Sequence, residues 1–201
     1  MTARLILLLG CALVIGGCGQ HHPGGHRLAF AFRPTGVEPR LPLRVAPDVV
    51  VRRAQFGVLD TSADGDERFT PLNEVPAEEG RVFGWVLEVE TSRESLRWQE
   101  HLQLPRPPAD WGDAATDPDV LISKDGRSVV AQGDDLVEDG ELSRFYWALA
   151  AGDPQGNYVL DVAVEGKPVA HFAFHVPMAV HEKAIMVRTE PRPAEPLRGS
   201  T

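Results

Sequence analysis

The stretch from 156 to 176 constrains this chain more than any other. Tyr158, Leu160, Val162 and Val164 recur at every second position, Glu165-Gly166-Lys167-Pro168 interrupts, and Phe172, Phe174 and Val176 resume the same period. A period of two places alternate side chains on one face of a strand. Gly166 supplies the positive φ that a tight hairpin turn requires. The stretch therefore predicts a β-hairpin. Phe83, Trp85, Leu87 and Val89 repeat the pattern over 81–90, and Leu96, Trp98, Leu102 and Leu104 repeat it again beyond a short polar turn. That spacing predicts a second hairpin centred near Arg93. Shorter strand candidates lie at 49–59, 69–75, 120–123, 129–132 and 145–149, and the last is apolar enough for burial on both faces. No segment carries the 3.6-residue period of an ordinary helix. Many short strands separated by turns imply an all-β fold, an antiparallel sandwich.

The turn into the final hairpin adds detail. Asp153-Pro154-Gln155-Gly156-Asn157-Tyr158 resembles the tyrosine corner ahead of the penultimate strand of immunoglobulin-like sandwiches. The resemblance implies an antiparallel immunoglobulin-like β-sandwich. Thr70-Pro71, Val75-Pro76, Gly80, Phe83-Gly84, Pro107-Pro108 and the closing Gly-x-Tyr hairpin also occur in the order of a family of exported bacterial domains of unknown function. That similarity runs over about 55–176 and implies a sandwich without supplying catalytic residues.

The beginning of the chain speaks to location. One basic residue, Arg4, precedes an apolar run over 5–15, which is too short for a permanent membrane span and fits the core of a secretory signal. Ile15-Gly16-Gly17-Cys18 resembles the lipobox of bacterial lipoproteins, in which cleavage precedes the cysteine and its thiol carries the lipid, palmitate included. The chain has two cysteines, Cys11 and Cys18, and none after position 18. Beyond the lipidated residue there is no disulfide framework, thiol nucleophile or cysteine-based metal site. Gly19 in place of aspartate favours the outer membrane, by resemblance to Gram-negative lipoproteins. The expected organisation is a signal peptide over 1–17, lipidated Cys18 with a Pro- and Gly-rich flexible tether over 18–47, a sandwich domain over 48–178, and a short extended segment with a disordered tail over 179–201. Leu28, Phe30 and Phe32 alternate inside the tether and suit an edge strand.

Charge and composition narrow the function classes. A hydrophobic content of 43% suffices for a core, and the formal charge of -9 argues against nucleic acid and against docking on anionic headgroups. Removing Arg4 with the signal leaves about -10, from -9 minus 1. The expected membrane contact is the lipid alone.

Candidate sites are few. His21, His22 and His26 cluster beside the anchor and are weak candidates for a transition metal, since a solvated linker fixes no geometry. His171 and His175 would share a helix face, but on a strand they stand on the order of 13 Å apart, too far for one ion. Asp60-x-Ser62-x-Asp64-Gly65-Asp66 matches the opening of a calcium loop, yet Pro71 occupies the place of its closing acid, so a hairpin turn fits better. An acidic loop at Asp134-Asp135 and Glu138-Asp139-Gly140 suits a solvated turn. Trp85, Trp98 and Trp147 suit the core. Trp111, in the Pro-rich loop 105–118, is the candidate for ligand or partner contact. No Gly-x-Ser-x-Gly elbow exists, no catalytic residue is assigned, and no cofactor is expected. The expectation is a lipid-anchored, non-enzymatic binding or adaptor module for an envelope protein or glycan. The alternative is an envelope hydrolase whose site is assembled from distant residues.

Overall fold

A computed structural model describes residues 36–178. The stretches read as signal, lipidated Cys18 and tail, together with His21, His22, His26 and the 28–32 segment, lie outside the described residues. Among the described residues, ten strands form two antiparallel sheets. The first sheet holds β1 (Leu43–Ala46), β2 (Val49–Thr61), β3 (Glu67–Pro71), β4 (Val82–Thr91) and β8 (Glu141–Ala148), in the order β1-β2-β4-β8 with β3 on the far half of β2. The second holds β5 (Ser95–Gln103), β6 (Val120–Ile122), β7 (Ser128–Leu136), β9 (Gly156–Val164) and β10 (Lys167–Val176), in the order β10-β9-β5-β7-β6. The first strand begins at Leu43, inside the stretch read as tether, and pairs with β2.

Two antiparallel sheets with their apolar faces together give the sandwich expected from the alternation. The arrangement is that of an immunoglobulin-like domain, whose central strands β4 and β5 follow one another in sequence but lie in opposite sheets. The hairpin expected around Arg93 is therefore corrected. β4 pairs with β2 and β8, and β5 pairs with β7 and β9. Alternation reports which side chains face the core, and two strands facing across a core carry the same signature as two strands side by side. Trp85 of β4 meets Trp98 of β5 edge-on across the interior, with centroids 6.2 Å apart.

The hairpin of β9 and β10 forms as expected, paired from Lys167–Val164 to Val176–Gly156, with positive φ at Glu165 and Gly166. The Tyr158 hydroxyl donates to the carbonyl of Pro154, closing the tyrosine corner. The Asp60–Asp66 cluster is the β2–β3 turn, held by the Ser62 hydroxyl and backbone. Asp134 and Asp135, expected in a loop, extend β7 and pair with Arg97 and Leu96.

Gly84 lets β4 and β8 approach closely at a bulge. A Cβ there would lie 1.9 Å from the carbonyl oxygen of Arg144. The bulge turns Tyr146 and Trp147, adjacent in sequence, so that both are buried.

Candidate functional site

The alternation of β5 places Leu96, Trp98, Glu100 and Leu102 toward the interior. Three are apolar, and the fourth is a carboxylate with 1% of its surface exposed. Burying a lone charge is costly unless it is hydrogen-bonded. Glu100 is reached by two indole donors from the opposite sheet: Trp85 Nε1 lies 2.7 Å from Oε2 and Trp147 Nε1 lies 2.8 Å from Oε1. Burial pushes the Glu100 carboxyl up to about 7, while the two indoles and the nearby Arg144 guanidinium act in the other direction. The sandwich is thus pinned at its centre by a carboxyl group clasped between two tryptophans.

Arg144 connects this pin to the surface. It comes from the core-facing side of β8, and its guanidinium lies 4.8 Å from the Trp98 ring centroid and 4.7 Å from that of Tyr146. Its Nη1 donates to Asp135 at 3.3 Å. Tyr146 Oη donates to Asp117 Oδ2 at 2.7 Å, and burial together with this carboxylate raises the phenol well above its ordinary range. Opposite Trp98 on β7 stands Gly133, where a Cβ would come within 2.8 Å of the indole. The missing side chain lets the indole lie across β7.

These groups frame a recess of about 250 Å³ on the flank where β8 faces β6 and β7. Asp117, Asp119, Asp134 and Asp135 supply its carboxylates, and Arg144, Tyr146 and Trp98 its floor. Two buried donors there, Trp98 Nε1 and Arg144 Nε, have no hydrogen-bond acceptor. Four carboxylates against one guanidinium leave the recess strongly acidic.

A second polar group lies on the outer face of the second sheet. His101, Asp161 and His171 occupy one rung across β5, β9 and β10. His171 Nδ1–H donates to Asp161 Oδ1 at 2.7 Å, and His101 Nδ1 stands 3.9 Å from Oδ2, beyond hydrogen-bond reach. Burial raises the Asp161 carboxyl, but the two imidazoles outweigh it and hold the group below the usual carboxylate range. His171 and His175 both lie on β10 as expected, with His175 exposed and bonded to Asn157. His171 is more than a solvated side chain, because Asp161 fixes it.

Trp111 packs edge-on against Trp147 with centroids 6.3 Å apart and donates from Nε1 to the carbonyl of Gly126. It lines a small, mostly apolar cavity with Leu102, Leu104, Leu149 and Tyr158, and lies apart from the acidic recess. Among the described residues no group of three or more histidines, cysteines or acids is arranged to hold a metal ion. The tether candidates His21, His22 and His26 lie outside the described residues.

Sequence reasoning missed Glu100 and Arg144. The signal for Glu100 was available: a charged residue at a core-facing position of an otherwise apolar alternation. Arg144 gave no such signal, since the apolar run that marks this strand begins at Phe145, one residue beyond it.

No match to this chain was found among curated proteins. Among solved structures, an immunoglobulin-like protein from Pseudomonas aeruginosa is similar over 64% of this chain and 96% of its own, at 15% identity and a TM-score of 0.41. The PM0630 beta sandwich domain model matches residues 54–177, from within β2 to the end of β10, and the chain belongs to that family.

Proposed function

We propose that this chain is a lipid-anchored envelope protein whose sandwich acts as a non-enzymatic binding or adaptor module. Anchoring rests on the lipobox around Cys18. Binding rests on one observation above all, the acidic recess framed by Asp117, Asp119, Asp134 and Asp135. The recess stands on strands of both sheets, which suits recognition by a preformed surface. Trp111 is less suited to direct contact than its loop position suggests, because its indole is engaged with Trp147 and Gly126.

The test combines metabolic labelling with a palmitate analogue and chemical crosslinking in native envelopes, for the wild type and Cys18→Ala. Label and membrane association lost in the variant, with a discrete crosslinked species formed by the anchored protein, support the reading. Equal labelling of both proteins overturns the anchor, and absence of any crosslinked species under several reagents overturns the adaptor role.

The hydrolase alternative draws on the His171–Asp161 pair, whose geometry resembles a base held by a carboxylate. The adjoining rungs on that face carry Gln99 with Ala163, and Gln103 with Val159 and Ala173, none of which is a nucleophile. An esterase and amidase screen of wild type and His171→Ala decides it.

A further inference from the structure

We propose that the outer face of the first sheet is the docking site of this chain's own segment 28–32, seated on Phe69 and Phe145. The face is built around two glycines. Gly57 of β2 and Gly84 of β4 stand opposite one another, and their neighbours Phe56, Val58, Phe83 and Trp85 are buried between the sheets, so both glycines face outward. Phe69 on β3 and Phe145 on β8 lie three strands apart, about 14 Å by strand spacing. Their rings meet across the glycines, with centroids 5.4 Å apart. A Cβ on Gly57 would lie 2.7 Å from the Phe69 ring, and one on Gly84 would lie 2.8 Å from the Cα of Phe145. Leu59 and Val82, paired beside them, and Val86 extend the apolar surface. Leu59, Phe69, Val82 and Phe145 are half-buried, yet none of them belongs to the core among the described residues.

Three facts select the occupant. Segment 28–32 reads Leu-Ala-Phe-Ala-Phe, with large apolar residues at alternate positions and only alanines between them. Such a sequence gains by burial, and this face offers it. Leu43 pairs with Val51 and Arg44 with Val50, so the chain ahead of β1 enters from the half of β2 that carries Gly57, about 20 Å beyond Val51. Residues 33–42 span at most about 35 Å, enough to reach it. Arg27 and Arg33 bracket the segment, and Glu67 and Glu141 are exposed on the two sides of the face. The docking rests on neither the anchor nor the recess. With Cys18 lipidated as proposed, it leaves residues 19–27 as free tether, at most about 30 Å in place of about 80 Å for residues 19–42, and holds the module close to the membrane.

The experiment uses the full chain in non-ionic detergent, with benzoylphenylalanine in place of Phe30, and maps photoadducts by mass spectrometry. The expected result is an adduct within one chain, to peptides that contain Phe69 or Phe145, reduced about fivefold by Phe145→Ala through loss of one ring contact. Cooperative thermal unfolding of Phe145→Ala verifies that the sandwich persists. Glu67→Lys combined with Glu141→Lys, both at exposed positions, is expected to lower the adduct about two- to threefold. Adducts between two chains overturn the proposal in favour of a second copy on this face. Adducts to detergent alone, or to sandwich peptides that hold neither phenylalanine, overturn it outright. An adduct unchanged by Phe145→Ala and by the lysine pair does the same.

Discussion

Glu100→Gln isolates the carboxyl at the centre of the sandwich. The folded protein holds Glu100 near 7, against an ordinary value of 4.5. Below about pH 4.5 the group is protonated in folded and unfolded chains alike, and ionisation imposes no penalty. Between about 4.5 and 7 the folded state keeps a proton that the unfolded state releases, so this group's contribution to stability falls as pH rises. A displacement of roughly 2.5 units at about 1.4 kcal/mol per unit makes the full effect on the order of 3 kcal/mol. Glutamine removes the titration at nearly constant volume. It also replaces one acceptor with an amide N–H₂, so one of the two indole donors loses its partner, at about 1–3 kcal/mol independent of pH. The variant is therefore expected to be less stable than the wild type at pH 5 and to draw level with it or overtake it by pH 8. Urea unfolding followed by tryptophan fluorescence, at intervals from pH 5 to pH 8, measures both proteins. Their difference cancels the other titrating groups, Asp161 among them. A stability difference that stays constant across this range would refute the reasoning, because it would mean that Glu100 is ionised at its ordinary pH in the folded protein.

Three further outcomes are expected. Gly84→Ala forces a Cβ against the Arg144 carbonyl and should destabilise the fold by about 3 kcal/mol or more, read by thermal unfolding; a loss under about 0.5 kcal/mol contradicts the close approach. Tyr158→Phe removes the hydroxyl that closes the corner and should cost about 1 kcal/mol, with unchanged near-ultraviolet dichroism from the tryptophans. Asp161 is held below its ordinary range, so its contribution is present above the unfolded value near 3.9 and is lost as pH falls through the lower folded value. Asp161→Asn should flatten this acid limb in a pH series of unfolding measurements, and an unchanged limb places the dependence elsewhere.

Much of the fold was legible because a sandwich writes itself as alternation. The 156–176 hairpin and the buried tryptophans followed from period two and turn chemistry, and the tyrosine corner from the resemblance of 153–158 to immunoglobulin-like sandwiches. The partners of each strand were not legible to the same degree. The step from β4 to β5 carries apolar residues toward one core from two sheets, and only long-range pairing decides between that and a hairpin. β1 was hidden by its prolines: Leu43–Ala46 lies between Pro42 and Pro47 and pairs along its free length with β2. The recess was the least legible feature. Its acids come from a loop and from β7, its guanidinium from a bulged strand, and its floor from an indole that needs Gly133 opposite. Each residue is ordinary alone, and their chemistry arises from convergence.

The central claim, an anchored module that engages a partner through this recess, is tested most directly by site-specific photocrosslinking in native envelopes. A photoreactive residue at Leu121, exposed on β6 beside the recess, is compared with one at Ala173, exposed on β10 at the opposite edge of the second sheet. A discrete adduct from position 121, absent from 173 and reduced by Asp119→Asn, is the predicted result. Adducts from 173 alone, or equal adducts from both positions that ignore Asp119, would contradict the claim.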